Sequence, residues 1–183
     1  KSYQFIDSLV ARGVNQVLVT GTCFEYGLQN GPLAPDTPTK PSNPYALAKD
    51  TLRQYLNYLK QEEPFKLKWA RLFYMYGKGQ NSKSIIAQLD SAIDAGEKIF
   101  NMSGGEQLRD YLPIQGAAGK LMAIFENDSE GIFNVCSGKP ISIRRLVEER
   151  IKERGSSIKI NLGYYPYPDY EPMAFWGVQP EGG

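Results

Sequence analysis

The feature that most constrains the fold is the apolar run from Val14 to Thr20, which ends at a glycine. It follows a segment from Phe5 to Val10 whose apolar residues recur at helical spacing, so we expect a helix that leads into a strand. Because the run is almost continuously apolar, it predicts a strand buried on both faces, as in a parallel sheet. Open α/β sheets bind ligands just beyond the carboxyl ends of their strands, a position that residues 22–27 occupy here.

A long helix is expected after a proline-rich loop. Residues 28–44 carry five prolines and show no apolar periodicity, which predicts a surface loop. Ser42 or Asn43 can cap the helix that follows, and Pro44 suits its first position. Apolar residues then recur at helical spacing until Pro64, where the helix should end.

The rest of the chain alternates shorter elements. The pattern predicts strands over 67–75, 111–114 and 132–136, helices over 85–93, 117–125 and 143–154, and an irregular aromatic segment over 164–170. The 183 residues suffice for one large core, or for one domain with a smaller companion.

Charge and composition exclude several classes of function. The net charge is +1, and no basic run is longer than Arg144-Arg145, so we expect no nucleic-acid partner. Short apolar stretches and the lack of a signal-peptide pattern predict a cytoplasmic protein with no membrane contact. The chain has no histidine, which excludes histidine bases, catalytic triads and histidine zinc sites, and we expect no metal. Cys23 and Cys136 lie in strand-like contexts and should be reduced core thiols.

Two Tyr-x-x-x-Lys pairs are candidates for proton transfer. Tyr45 and Lys49 lie on the capped helix, where positions i and i+4 share a face, whereas Tyr74 and Lys78 run into a glycine turn. A nearby ammonium stabilises a phenolate, and Thr22 could hydrogen-bond the same substrate oxygen. On spacing alone, an exposed tyrosine beside a solvated lysine remains the favoured interpretation.

Five motifs, taken together, point to one family. They are Thr-Gly-Thr-Cys-Phe-Glu-Tyr-Gly at 20–27, Asn-Pro-Tyr-Ala-Leu-Ala-Lys at 43–49, Arg-Leu-Phe-Tyr-Met-Tyr-Gly-Lys-Gly-Gln at 71–80, Arg-Asp-Tyr at 109–111 and Phe-Asn-Val-Cys-Ser-Gly at 133–138. In sequence and order they resemble the extended short-chain dehydrogenase/reductases, in the branch of nucleotide-sugar epimerases, dehydratases and reductases.

The resemblance implies an α/β fold, with part of a doubly wound, Rossmann-like parallel sheet and a smaller α/β substrate-binding domain. Residues 1–77 would belong to the domain that binds NAD or NADP, and 78–183 mainly to the sugar-nucleotide domain, with 116–138 returning to the Rossmann-like sheet. The full-length protein would be a homodimer. The implied substrate is a nucleotide-linked sugar.

The resemblance also assigns roles to single residues. Thr22 matches the catalytic Ser/Thr and Tyr45 the general acid/base, while Lys49 matches the residue that holds the nicotinamide ribose. The implied cofactor-binding residues are Tyr45, Lys49 and Leu72. The implied substrate-binding residues are Thr22, Cys23, Phe24, Tyr74 and Arg109, the last as a clamp on the diphosphate.

Departures from the family narrow the chemistry. Dehydratases of this branch carry Asp-Glu after the catalytic Thr, where this chain has Cys23 and Phe24, so dehydration is disfavoured. Tyr74 replaces a substrate-contacting Asn, and Gly116 replaces an Asp. The expected activity is reduction of a 4-keto-6-deoxy sugar, with a 4-epimerase or a non-catalytic sugar-nucleotide-binding module as alternatives.

The family's Gly-x-x-Gly-x-x-Gly turn, which cradles the cofactor pyrophosphate, does not occur in these 183 residues. We therefore expect the chain to be a fragment, truncated at both ends and inactive by itself, without measurable NAD(H) binding.

Overall fold

The computed structural model describes residues 1–167, 169 and 171–178. The helices are α1 Ser2–Val10, α2 Pro44–Glu62, α3 Ile85–Asp94, α4 Ile114–Glu126 and α5 Ile143–Glu153, and a 3-10 helix spans Cys23–Tyr26. The strands are β1 Gln16–Thr22, β2 Gly31–Leu33, β3 Lys66–Leu72, β4 Tyr74–Tyr76, β5 Ile99–Asn101, β6 Leu108–Pro113, β7 Gly131–Val135, β8 Pro140–Ser142, β9 Lys159–Asn161 and β10 Phe175–Gly177.

The central sheet contains three parallel strands in the order β1-β3-β7. At its carboxyl edge Thr22 pairs with Leu72, and Leu72 pairs with Val135. The parallel sheet predicted from the apolar runs is thus confirmed, and the ends of its strands are level with one another.

Helices cover both faces of this sheet, because successive side chains of a strand point in opposite directions. Leu67 and Trp69 of β3 pack into a core shared with α1 and α2. Ala70 packs into a second core, shared with α4. Lys68 is buried as well, and its ammonium donates to main-chain carbonyls at the end of α4, including Ile124 O at 2.8 Å. This cation satisfies carbonyls that the helix itself leaves without partners.

Helix α2 forms where the sequence predicts it. Asn43 is its N-cap, and the Asn43 Oδ1 atom accepts a hydrogen bond from the Ala46 N–H at 2.9 Å. Pro44 holds the first helical position, and the helix ends two residues before Pro64. The start of α2 is therefore fixed locally by its own sequence.

The strands outside the central sheet form smaller sheets. Strand β6 pairs in parallel with β4 and antiparallel with β8, while β5 pairs with β9 and β2 with β10. Helices α3 and α5 share a core around Leu89 and Val147, and they are also joined by hydrogen bonds from Arg150 to both carboxylate oxygens of Asp90, each at 2.9 Å.

Three segments can be compared with the predictions made from the sequence. The expected loop over 28–44 contains the three-residue strand β2, which depends on pairing with β10 far along the chain. Strand β7, inside segment 116–138, pairs with β3 of the central sheet. The division of the chain at residue 77 stays a prediction. Of the aromatic segment 164–170, Pro168 and Tyr170 lie outside the described residues.

Cys23 and Cys136 are buried free thiols, as predicted. Burial raises the pKa of Cys23 to about 12 and that of Cys136 to about 11, because an apolar environment disfavours the thiolate. Among the described residues, no helix combines the length and apolar content that crossing a membrane requires.

Candidate active site

Thr22 is the last residue of β1 and the N-cap of the 3-10 helix that follows. Its Oγ1 accepts a hydrogen bond from the Phe24 N–H at 3.3 Å, and its own N–H donates to Glu25 Oε1 at 2.8 Å. These two bonds form a capping box. The Thr22 side chain is thereby fixed at the carboxyl edge of the sheet, where parallel sheets bind their ligands.

Lys49 joins helix α2 to strand β1. Its Nζ donates to the carbonyl oxygen of Thr20 at 2.7 Å and lies 6.0 Å from the centre of the Tyr45 ring. Tyr45 is one helical turn earlier and is 56% exposed. The pair thus combines a lysine anchored at the sheet with a phenol that is accessible from outside.

The three predicted catalytic residues lie on adjoining elements, because α2 packs against both β1 and the 3-10 helix. Lys49 links to β1 two residues before Thr22. Within the described part of the chain, no direct hydrogen bond joins Thr22 to Tyr45.

The second Tyr-x-x-x-Lys pair has a different environment. The Tyr74 hydroxyl donates to Glu171 Oε1 at 3.0 Å, while Lys78 is exposed on its turn. Burial, followed by the negative charge of Glu171, raises the pKa of Tyr74 well above its usual range. Tyr74 therefore stays protonated near neutral pH.

The predicted substrate residues Tyr74 and Arg109 meet at Glu171. Arg109 is 2% exposed, and its Nη2 donates to Glu171 Oε2 at 2.8 Å. Phe24 packs edge-on against Tyr74, with 5.9 Å between ring centres. A diphosphate bound at Arg109 would have to share the guanidinium with Glu171.

A cavity of about 560 Å³ borders Phe24 and Glu171. Its walls come from the turn after β1, the start of α2 and the segment before β10, and its lining residues are Phe24, Leu28, Ser42, Asn43, Asp169 and Glu171. The predicted substrate residue Phe24 therefore faces the same space as Asn43, the N-cap of the helix that carries Tyr45.

A sequence model of the NAD dependent epimerase/dehydratase family matches residues 2–136. The chain belongs to this family. It is 35% identical over 180 residues to dTDP-6-deoxy-L-talose 4-dehydrogenase (NAD(+)) of Aggregatibacter actinomycetemcomitans, and the match covers 98% of this chain and 67% of that enzyme. It is 27% identical over 151 residues to dTDP-4-dehydro-6-deoxyglucose reductase of Escherichia coli, covering 79% of this chain and 47% of the reductase.

The fold of this family member is that of solved relatives. With a TM-score of 0.84 and 26% identity, it is similar to UDP-N-acetylglucosamine 4-epimerase from Methanobrevibacter ruminantium M1 in complex with UDP-N-acetylmuramic acid. That match covers 94% of this chain and 58% of the epimerase. The chain thus spans 47–67% of the length of these three relatives.

Leu72, a predicted cofactor residue of this family member, ends β3 beside Thr22 and is half-buried. Lys49, Thr22 and Leu72 are therefore all close to the carboxyl ends of β1 and β3. Among residues 1–167, 169 and 171–178, no three acidic, cysteine or histidine side chains are grouped so that they could hold a metal ion.

Sequence reasoning missed two acidic residues at the site. Glu25 is buried under Thr22 and pairs with Arg71, and Glu171 links Tyr74 to Arg109. The sequence could have identified Glu25, because a carboxylate within an apolar stretch is seldom buried without a cationic partner. It gives no such indication for Glu171, because that residue follows an aromatic, proline-rich segment.

Proposed function

We propose that the protein is an NAD(P)-dependent oxidoreductase of nucleotide-linked sugars that reduces the C4 ketone of a 4-keto-6-deoxy sugar. The observation that carries this proposal is the hydrogen bond from Lys49 Nζ to Thr20 O, at 2.7 Å, which places the Tyr45–Lys49 pair beside the strand that ends in Thr22. In a family of NAD-dependent enzymes, this is a proton-handling site at the end of a parallel sheet.

Tyr45, Lys49 and Thr22 each have a different role at the sugar carbonyl. Tyr45 donates its phenolic proton to the carbonyl oxygen, and the positive charge of Lys49 stabilises the phenolate that remains. Thr22 donates a hydrogen bond to the same oxygen, since the Phe24 N–H already occupies an acceptor site of its Oγ1. A bound nicotinamide cofactor supplies the hydride that the carbonyl carbon receives, so the product is a secondary alcohol.

Part of the cofactor can be matched to residues in this chain. The Lys49 ammonium has three N–H donors, and Thr20 takes one of them, so two can meet ribose hydroxyls. Tyr45 and Leu72 would complete the ribose and nicotinamide side of the site. The sequence lacks the glycine-rich turn that a pyrophosphate requires, and we assign no pyrophosphate contact to these residues.

The residues after Thr22 favour reduction over dehydration. Cys23 and Phe24 occupy the positions where dehydratases carry Asp-Glu. Burial raises the pKa of Cys23 to about 12, so its thiol is a poor base near neutral pH, and phenylalanine has no ionisable group. Both curated relatives described above are named for redox chemistry at position 4 of a dTDP-linked 6-deoxy sugar.

The sugar nucleotide would lie in the cavity bordered by Phe24 and Glu171, with Tyr74 and Arg109 behind Glu171. Because both relatives act on dTDP sugars by name, a dTDP sugar is the first substrate to test. The homodimer and the cytoplasmic location expected from the sequence stay predictions.

A 4-epimerase is the second candidate, because the solved relative with a TM-score of 0.84 is one. An epimerase would use the same proton-handling residues to oxidise and re-reduce one carbon without net consumption of cofactor.

The test uses the protein expressed from the whole gene, incubated with dTDP-4-keto-6-deoxyglucose and reduced nicotinamide. We expect stoichiometric oxidation of the cofactor and formation of a dTDP-6-deoxyhexose. A second incubation starts from a dTDP-6-deoxyhexose, which carries a hydroxyl at C4, with a catalytic amount of oxidised nicotinamide cofactor; interconversion of its C4 epimers there, without net change of the cofactor, would establish the epimerase instead. Binding of dTDP sugars without either conversion would contradict both candidates and identify a non-catalytic module.

A further inference from the structure

Glu25 has an unusual environment for a carboxylate, because it is fully buried at the end of a sheet. Its Oε1 accepts from the Thr22 N–H at 2.8 Å, and its Oε2 accepts from Arg71 Nε at 2.8 Å. The indole N–H of Trp69 lies between the two oxygens, at 3.2 Å and 3.0 Å. Every donor around this carboxylate is therefore supplied by β1 or β3.

The residues around Glu25 leave room for these hydrogen bonds. A Cβ atom on Gly21 would lie 2.3 Å from Trp69 Nε1 and 2.4 Å from Glu25 Oε1, so only glycine fits at that position of β1. Arg71 is held in turn by Pro35 O at 3.0 Å and by the face of the Tyr26 ring, 4.4 Å from its guanidinium carbon. The carboxylate is thus held by Arg71 at Oε2, while its Oε1 binds the main chain of Thr22.

Stability alone gives a poor reason for such a pair. A buried ion pair can often be replaced by apolar residues of similar volume without loss of stability, because burying two charges is costly. The contacts of Glu25 suggest another role. One of its oxygens holds the main chain of Thr22, whose hydroxyl in turn holds the Phe24 N–H at 3.3 Å. The backbone and the side chain of Thr22 are both constrained.

We propose that Glu25, oriented by Arg71 and Trp69, is a positioning residue that holds Thr22 so that its hydroxyl meets the reacting oxygen of the substrate. Glu25 acts only through Thr22, because it is enclosed by protein on all sides. This inference rests on the proposed function, in which Thr22 hydrogen-bonds the sugar carbonyl.

The test is Glu25→Gln in the protein expressed from the whole gene. Glutamine keeps the size of the side chain, but its amide group presents N–H donors to either Thr22 or Arg71, where the carboxylate accepts from both. We expect kcat to fall about 10- to 100-fold, with KM for the sugar nucleotide changed less than about threefold, because the lost alignment matters most in the transition state. The matched control is Asp90→Asn, which removes the carboxylate of the ion pair between α3 and α5 and should leave kcat within about twofold.

A double-mutant cycle with Thr22→Ala separates positioning from general damage. If Glu25 acts through Thr22, Glu25→Gln should have almost no further effect on kcat once the Thr22 hydroxyl is absent. Losses that multiply in the double variant would overturn the inference. If Glu25→Gln does not fold, Arg71→Lys takes its place in the same cycle.

Amide hydrogen exchange gives a readout that does not require turnover. Glu25→Gln should accelerate exchange at Thr22 and Phe24 at least about tenfold, while the amide of Ala70, in the middle of β3, changes less than about twofold. Unchanged exchange at Thr22 would overturn the inference even if the wild-type protein is an active reductase. A wild-type protein without turnover would instead contradict the proposed function, and the catalytic part of this inference with it.

Discussion

Two Arg–Glu pairs of equal length serve the candidate site in different ways. Arg71 and Glu25 lie 2.8 Å apart, with side chains that are 1% and 0% exposed. Arg109 and Glu171 also lie 2.8 Å apart, but the Glu171 side chain is 22% exposed. The first pair is enclosed at the end of the central sheet, whereas the second borders the cavity. The two pairs therefore differ in burial and not in the distance between their charged groups. The buried Arg71–Glu25 pair is a fixed support, whereas water or a substrate can reach the Arg109–Glu171 pair.

The difference follows from the elements that carry each pair. Arg71 lies on β3, and Glu25 lies in the turn directly after β1, so adjacent parallel strands bring them together. Arg109 lies on β6, while Glu171 belongs to the segment before β10. The first pair is thus a part of the sheet, and the second depends on how that segment packs.

The largest expected effect is that of Glu25→Ala. It leaves the Arg71 guanidinium buried without its carboxylate, which should lower the free energy of unfolding by about 3–5 kcal/mol. Urea unfolding followed by circular dichroism measures this change. A loss below about 1 kcal/mol would show that water reaches the Arg71 guanidinium, and therefore that the Arg71–Glu25 pair is not buried.

Gly21→Ala should have the next largest effect. The added methyl group would collide with Trp69 Nε1 and Glu25 Oε1, at 2.3 Å and 2.4 Å, and should cost about 1–3 kcal/mol in free energy of unfolding. Gly119→Ala is the matched control, because nothing lies within 4 Å of a Cβ at that exposed position of α4. The control should be neutral or should stabilise the helix by up to about 1 kcal/mol. Equal effects of the two substitutions would contradict the packing of the network against β1.

Glu171→Ala should cost much less than Glu25→Ala. Arg109 keeps its hydrogen bonds to the carbonyl oxygens of Leu108 and Met173, at 2.8 Å and 3.3 Å. Water can also replace a partly exposed carboxylate, so the expected loss is about 1 kcal/mol or less. Urea unfolding under the same conditions compares the two variants directly. A loss as large as that of Glu25→Ala would remove the distinction between the two pairs.

Thiol labelling measures enclosure without any change of sequence. Burial raises the pKa of Cys23 to about 12 and that of Cys136 to about 11, so almost no thiolate exists in the folded protein near pH 8. Alkylation by iodoacetamide at that pH should be at least about a hundredfold slower in the native state than in urea. Mass spectrometry of both peptides gives the rates. Rapid labelling of Cys23 would mean that the turn after Thr22 is open.

The sequence predicts the parts of this molecule that local signals specify. The apolar run into Thr20 predicts the buried parallel strand, and Asn43 with Pro44 predicts where α2 starts. The Lys49 spacing identifies a candidate pair, but its bond to the Thr20 carbonyl depends on how α2 packs against β1.

Other features depend on contacts between residues far apart in the chain. The pairing of β2 with β10 joins two three-residue strands that carry no strong pattern of their own. The Glu25–Arg71 pair also depends on such a contact. In the sequence each residue is only a charged position within an apolar stretch, and the sheet brings the two together. Sequence patterns predict the periodicity of helices and strands and the residues that cap them. The partner of a buried charge depends on how the elements pack, so the sequence does not predict it.

The central claim is that Tyr45 handles the proton at the sugar carbonyl, and Tyr45→Phe tests it most directly. The matched control is Tyr58→Phe, since Tyr58 lies on the same helix and is 61% exposed, compared with 56% for Tyr45. Turnover of dTDP-4-keto-6-deoxyglucose with reduced nicotinamide is measured for both variants of the protein expressed from the whole gene. We predict that kcat of Tyr45→Phe falls about 10²- to 10⁴-fold while Tyr58→Phe keeps the wild-type value. A Tyr45→Phe variant that keeps more than about a tenth of the wild-type kcat would contradict the account.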